Sequence, residues 1–204
     1  MQLSHRLQQV KPSPTLAVAA RARQLQAEGK NILNLSVGEP ECDPPEFIKT
    51  AACQALAAGL TRYTNVDGLP GLKQAIIHKF QRDNGLHYEL NEVAASVGGK
   101  QALYNAVQAL INPGDEAVIP MPAWVSYLDM VLLAEGKPIP VETSFEQHYK
   151  MTANQLAAAI TPRSRLLILN SPSNPTGQIY SEAELAALAE VLLRPPKITI
   201  ISDD

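Results

Sequence analysis

The chain has 204 residues, 46% hydrophobic and 18% charged, which suffices for one packed domain and part of another at roughly 150 residues per domain. A formal net charge of -3 without a Lys/Arg cluster argues against nucleic-acid binding, whose affinity comes from neutralised phosphates. Two cysteines without C-x-x-C spacing, four scattered histidines and no run near the ~20 apolar residues of a membrane span point to a reducing cytoplasm and to no metal site.

Residues 1 to 27 hold Arg6, Lys11, Arg21 and Arg23 and no acid, superficially like a transit peptide. The preferred reading is a helix from Pro14-Thr15 with a stop at Gly29, running directly into an expected strand over Asn31 to Leu35. Pro12, Pro14, Pro40, Pro44 and Pro45 punctuate this opening stretch, which reads as a separate lobe or an arm. From Leu69 the pattern changes. Leu72, Ile76 and Phe80 mark one helix face, and Leu103, Ala106, Val107 and Leu110 another.

Short apolar runs at Val93 to Val97, Glu116 to Ile119, Pro138 to Val141, Leu166 to Leu169 and Ile198 to Ile201 read as strands, the last four buried on both faces. Thr152 with Gln155, and Ser181 with Glu184, fit the capping box that satisfies the first free amides of a helix. The second of these helices is expected to turn Leu185, Leu188 and Leu192 inward and to stop at Arg194-Pro195-Pro196. Strands and helices alternating at a spacing of ~30 residues predict right-handed crossovers and an α/β fold with a parallel sheet covered by helices.

Ligands of such sheets bind at the carboxyl ends of the strands, and the unusual residues fall there. Val97-Gly98-Gly99-Lys100 precedes a helix expected near Gln101, where glycines and first-turn amides can admit a phosphate; alone it is also an ordinary turn. It is neither a Walker A loop nor a G-x-G-x-x-G fingerprint. Trp124, the single tryptophan, follows a strand and is either core or a stacking surface for a planar cofactor. Asn174 sits between Pro172 and Pro175, as a turn residue or as an aimed amide. Asp203 follows a strand, as a helix cap or as a carboxylate at the sheet edge.

In order and placement these stretches are specific. With Asn34-Leu35-Ser36-Val37-Gly38-Glu39-Pro40, Tyr63-Thr64, Gly68-Leu69-Pro70-Gly71-Leu72, Ser96 to Leu103, Asn112-Pro113-Gly114-Asp115-Glu116, Pro122 to Tyr127, Asn170 to Gly177 and Ile201-Ser202-Asp203, the chain resembles the fold-type I pyridoxal-phosphate aminotransferases, and within them the bacterial aspartate aminotransferases. The resemblance implies a three-layer α/β/α large domain with a mainly parallel sheet. Residues 46–204 would be its N-terminal portion, and residues 1–45 an N-terminal arm with part of a small domain.

It also implies roles. Gly99 and Lys100 would offer amides to the phosphate of pyridoxal 5'-phosphate, Trp124 would stack on its ring, Asn174 would bond the ring hydroxyl oxygen, and Asp203 would pair with the ring nitrogen. Gly38, Trp124 and Asn174 would face the amino-acid or 2-oxo-acid substrate, and Tyr63 would reach the phosphate in the neighbouring subunit of a homodimer. The Schiff-base lysine and the arginine gripping the substrate α-carboxylate are expected past Asp203, and no lysine here replaces them: Lys100 belongs to the phosphate loop, while Lys49, Lys73 and Lys79 read as solvated helix positions. The 204 residues alone are therefore expected to be inactive. The alternative is a non-catalytic truncated or split-gene fragment that pairs, if at all, with a C-terminal half through an unpaired sheet edge.

Overall fold

A computed structural model of the chain describes residues 3–36, 38, 40–194 and 196–204, in two compact units: residues 13–102, and residues 1–12 with 103–204. Val37 and Glu39 of the Asn34 to Pro40 stretch, and Pro195 of the expected helix stop, lie outside the described residues. The second unit begins with a single turn, α1 (His5–Gln8).

The described elements of residues 13–102 are helical. α2 (Pro14–Ala27) opens with the Ser13 hydroxyl accepting from the Leu16 amide at 3.4 Å, and the chain leaves it through Gly29 at φ +82°. α3 spans Glu46–Ala57. α4 (Pro70–Asn84) starts on proline, whose missing N–H costs nothing there, and ends on Gly85 in the left-handed region; the Gly85 and Leu86 amides return to the Gln81 and Phe80 carbonyls at 3.2 Å each. On its expected face Ile76 and Phe80 are half-buried, whereas Leu72 is exposed.

Two expected strands are corrected. Asn31 to Leu35 is irregular, with Leu33 90% and Leu35 94% exposed, and Val93 to Val97 follows a 3₁₀ turn at Leu90–Glu92 without joining a ladder. Its backbone makes one cross-link, from the Ala95 amide to the Asp67 carbonyl at 2.9 Å. An apolar extended run becomes a strand only where a neighbour supplies a row of donors and acceptors. Neither run has one among the described residues.

α5 (Gly99–Leu110) begins in the first unit and continues into the second, where it is followed by β1 (Glu116–Met121), α6 (Ser126–Leu133), β2 (Lys137–Glu142), a 3₁₀ turn (Phe145–Gln147), α7 (Ala153–Ala159), β3 (Ser164–Asn170), α8 (Glu182–Leu192) and β4 (Thr199–Asp203). The strands form one sheet in the order β2-β1-β3-β4, and every ladder is parallel. Val118 lies opposite Ile139 and Leu167, and Asn170 opposite Asp203.

Strand alternation sends side chains to two separate cores. Ala117, Ile119, Leu166 and Ile168 pack with Leu103, Val107, Tyr127, Met130 and Val131 from α5 and α6. On the opposite face Val118, Val141 and Leu167 meet Leu156 and Leu188 from α7 and α8, together with Met151 and Tyr180. This is the expected three-layer α/β/α arrangement. Each fully buried aliphatic side chain contributes about 1.5 to 3 kcal/mol, so the two cores fix the central strands firmly.

Burial on both faces holds for β1 and β3 but not for the outer strands. β2 buries only Val141, and in β4 Ile200 is 48% exposed, because among the described residues each has a neighbour on one side alone. Both capping boxes form: Thr152 with Gln155, and Ser181 with Glu184. In α8, Leu188 is buried and Leu192 half-buried, but Leu185 is exposed, so the inward face is narrower than its leucine spacing predicts.

Candidate functional site

The carboxyl end of the sheet carries a continuous polar and aromatic network within the second unit. β1 ends at Met121, and the loop that follows delivers Trp124 one residue before the cap of α6. The Tyr127 amide donates to the Trp124 carbonyl at 3.1 Å, and the two rings meet edge to face at 5.3 Å between centroids and 86° between planes. This geometry favours contact between a positive ring edge and a negative ring face. Tyr127 is 2% exposed, and its hydroxyl donates to the Asp203 carboxylate. Burial, and then the adjoining carboxylate, push the Tyr127 phenol above its ordinary pKa, so it remains a proton donor across the physiological range.

Asp203 is the last residue of β4 and is held at its backbone as well. Its carbonyl accepts from the Asn170 side-chain amide at 2.6 Å and from the Ser171 amide at 3.2 Å. The same Asn170 side chain accepts from the Asn174 backbone amide at 2.6 Å. One side chain thus ties the Asn174 loop to the end of β4. Among the described residues no ion pair involves Asp203. Its carboxylate is oriented by a neutral phenol and meets no cation among the described residues.

Beside this network lies a small cleft lined in part by Pro122, Tyr149, Lys150, Asn174, Gln178 and Tyr180. His148 and Tyr149 both adopt left-handed φ angles, 52° and 53°, that non-glycine residues rarely hold. The turn is clasped on its far side. The Met151 amide donates to the Tyr180 hydroxyl at 2.7 Å, and Lys150 pairs with Glu184 at 2.5 Å. Hydrogen bonding from Lys150, then from the Ser181 amide, lowers the Glu184 carboxyl to about 2.

Gly38, Tyr63, Gly99 and Lys100 belong to residues 13–102. α5 begins at Gly99 rather than near Gln101, so Gly99 and Lys100 occupy its first turn, where amides have no preceding helical carbonyl to bond. Gly98 needs its φ of +81°, while a Cβ at Gly99 would meet nothing within 4 Å. Gly38 is exposed, and Tyr63 is fully exposed on the loop before α4.

That loop has its own anchor. Lys73, expected to be solvated, is 6% exposed and paired with Asp67, whose carboxyl it holds below the ordinary range. The buried stem of the lysine and the acid six residues earlier compensate each other, which the helix pattern alone could not reveal. At Gly68, φ is +106° and a Cβ would lie 2.8 Å from that of Ala95, so only glycine fits.

Within the second unit the structure therefore joins Trp124, Asn174 and Asp203 through two residues to which sequence reasoning gave no role, Tyr127 and Asn170. A signal existed for each: Tyr127 lies one helical turn after Trp124, and Asn170 is the terminal polar residue of a buried strand. Among the described residues no group of three His, Cys, Asp or Glu side chains could hold a metal, and no helix is long and apolar enough to cross a membrane.

The family model for aminotransferase class I and II matches residues 30–204. The chain is 56% identical to the aspartate/prephenate aminotransferase of Cereibacter sphaeroides over 99% of its own length and 50% of the relative's, and 54% identical to that of Nitrosomonas europaea over 100% and 51%. The crystal structure of the Rhizobium meliloti aspartate aminotransferase superposes with a TM-score of 0.95 at 47% identity, covering 100% of this chain and 51% of that one. The Thermus thermophilus aspartate aminotransferase with maleate gives 0.95 at 43% identity, over 99% and 53%. The chain spans about half the length of the curated relatives it matches.

Proposed function

The chain belongs to the aminotransferase class I and II family, and on that premise we propose that it carries the cofactor-holding half of an enzyme that moves an amino group from aspartate or a similar amino acid to a 2-oxo acid. The cofactor is pyridoxal 5'-phosphate, on which this family generally depends. The observation that carries the reading is the Asp203 carboxylate, held by the neutral Tyr127 hydroxyl, paired with no cation among the described residues, and linked to Trp124 and Asn174.

That donor and acceptor set fits the ring end of pyridoxal phosphate: an unpaired anion for a protonated ring nitrogen, an amide for the ring hydroxyl oxygen, and a flat indole for the ring face. When bound, the cofactor supplies an electron sink for the carbanion left by loss of the amino acid's α-proton. The protein's share is to position and polarise. Asp203 would keep a proton on the ring nitrogen, Asn174 would fix the ring's rotation, and Trp124 would cover one face. Gly99 and Lys100 would hold the phosphate at the positive end of α5. Gly38, Trp124 and Asn174 border the substrate, and Tyr63 reaches the phosphate of a second subunit in a homodimer.

Residues 1–45 are assigned to an arm and part of a small domain, and residues 46–204 to the large domain. None of the lysines and arginines here is given the Schiff-base or the α-carboxylate-binding role, so cofactor binding and turnover are proposed to separate in these 204 residues. Equilibrium dialysis of the 204-residue chain is expected to find one pyridoxal phosphate per chain, and added aspartate and 2-oxoglutarate to give no product above the cofactor-only background. Absence of saturable binding overturns the cofactor reading. Product above background overturns the placement of the catalytic lysine.

A further inference from the structure

We propose that Tyr127 is a positioning residue of the cofactor site, aiming the Asp203 carboxylate at the ring nitrogen while bracing the Trp124 ring that covers the ring face. The inference rests on the proposed function and adds a residue to it. Tyr127 sits in the first turn of α6, is 2% exposed and packs in the core formed with α5, β1 and β3, so its ring has one place to be. From that fixed ring its hydroxyl reaches the Asp203 carboxylate, and the ring itself meets the indole of Trp124 edge to face. The two ring-facing groups come from different strand exits, the ends of β1 and β4. Tyr127 touches both.

The chemistry of the donor matters as much as its place. A lysine or arginine there would compensate the carboxylate and compete with a cationic ring nitrogen, as opposite charges within ~4 to 6 Å do. A phenol gives one directional hydrogen bond and leaves the anion's charge in place. Because burial and the carboxylate both raise the phenol's pKa, the donor proton stays on Tyr127 throughout the neutral range. Asp203 is also fixed at its backbone by Asn170 and Ser171, so the remaining freedom is rotation of the carboxylate, which Tyr127 removes.

The test compares pyridoxal phosphate with its analogue bearing carbon in place of the ring nitrogen, titrated into the full chain and into Tyr127→Phe. The phenylalanine keeps the ring contact with Trp124 and deletes only the hydroxyl. The unsubstituted chain is expected to prefer pyridoxal phosphate, and Tyr127→Phe to lose about tenfold of that preference, the scale of one hydrogen bond to a charged group, with affinity for the analogue kept. A merely structural role would weaken both ligands equally, and that result, or an unchanged ratio, overturns the proposal. If the unsubstituted chain binds neither ligand, the cofactor reading itself falls. Independently of any variant, the proton spectrum of the unsubstituted chain is expected to show a slowly exchanging phenolic proton from Tyr127, and its absence overturns the proposal even where Tyr127→Phe fails to fold.

Discussion

The two ends of the sheet each carry an acidic strand residue, and the fold treats them oppositely. At the amino end, Glu116 opens β1, is 1% exposed, and accepts from Thr161 at 2.5 Å and Arg163 at 3.0 Å, with Lys137 at 3.6 Å. These partners stand at or just before the starts of β3 and β2, so one carboxylate gathers three adjacent strands, and the Thr161 hydroxyl, followed by Arg163, holds its pKa below the ordinary range. At the carboxyl end, Asp203 is met by the neutral Tyr127 hydroxyl and by no cation among the described residues. A carboxylate saturated by its own fold is cement. One that is oriented but left uncompensated is prepared for a cation that arrives with a ligand.

The largest effect on stability is therefore expected at the amino end. Glu116→Ala leaves the Thr161 hydroxyl and Arg163 without their shared acceptor and should cost about 2 to 3 kcal/mol, read as a lower urea midpoint at constant slope. Gly136, which precedes β2 at the same end, should follow closely. A Cβ there would lie 2.5 Å from the Ile111 side chain and 3.1 Å from that of Val131, so Gly136→Ala overpacks the core and should cost about 1 to 3 kcal/mol. At the carboxyl end Asp203→Asn should cost less than about 1 kcal/mol and leave the midpoint essentially unchanged, because an amide oxygen still accepts from Tyr127. Equal losses at the two ends would break the comparison.

The smallest effect is on acid sensitivity. Glu184 titrates at about 2 when folded against an ordinary 4.5, so its contribution is complete above 4.5 and is lost as pH falls from there towards 2. Glu184→Gln should flatten that part of the stability profile, lying below the unsubstituted chain near neutrality and converging with it as pH falls towards 2. Glu184 is partly exposed, so added salt should narrow the difference between the two chains.

How much of this was legible follows from where each residue's partners lie. β1 and β3 could be read from their apolar runs because helices cover both faces, and the capping boxes of α7 and α8 because both members sit three residues apart. Asn31 to Leu35 and Val93 to Val97 look the same locally, and their lack of strand character depends on ladder partners that no local pattern encodes. Lys73 is hidden for the same reason, since its burial follows from Asp67 on the preceding loop. Trp124, Asn174 and Asp203 announced themselves by type and by position at strand exits. Tyr127 did not, because its contact with Asp203 spans 76 residues of sequence and exists only once the parallel sheet has formed.

The most direct test of the uncompensated carboxylate is a titration of the 204-residue chain and its Asp203→Asn variant with pyridoxal phosphate, followed by the fluorescence of Trp124, the sole tryptophan. Saturable quenching in the unsubstituted chain, with affinity reduced by about tenfold or more in Asp203→Asn at an unchanged unfolding midpoint, is the predicted result. Equal affinities in the two chains, or quenching that never saturates, would contradict it.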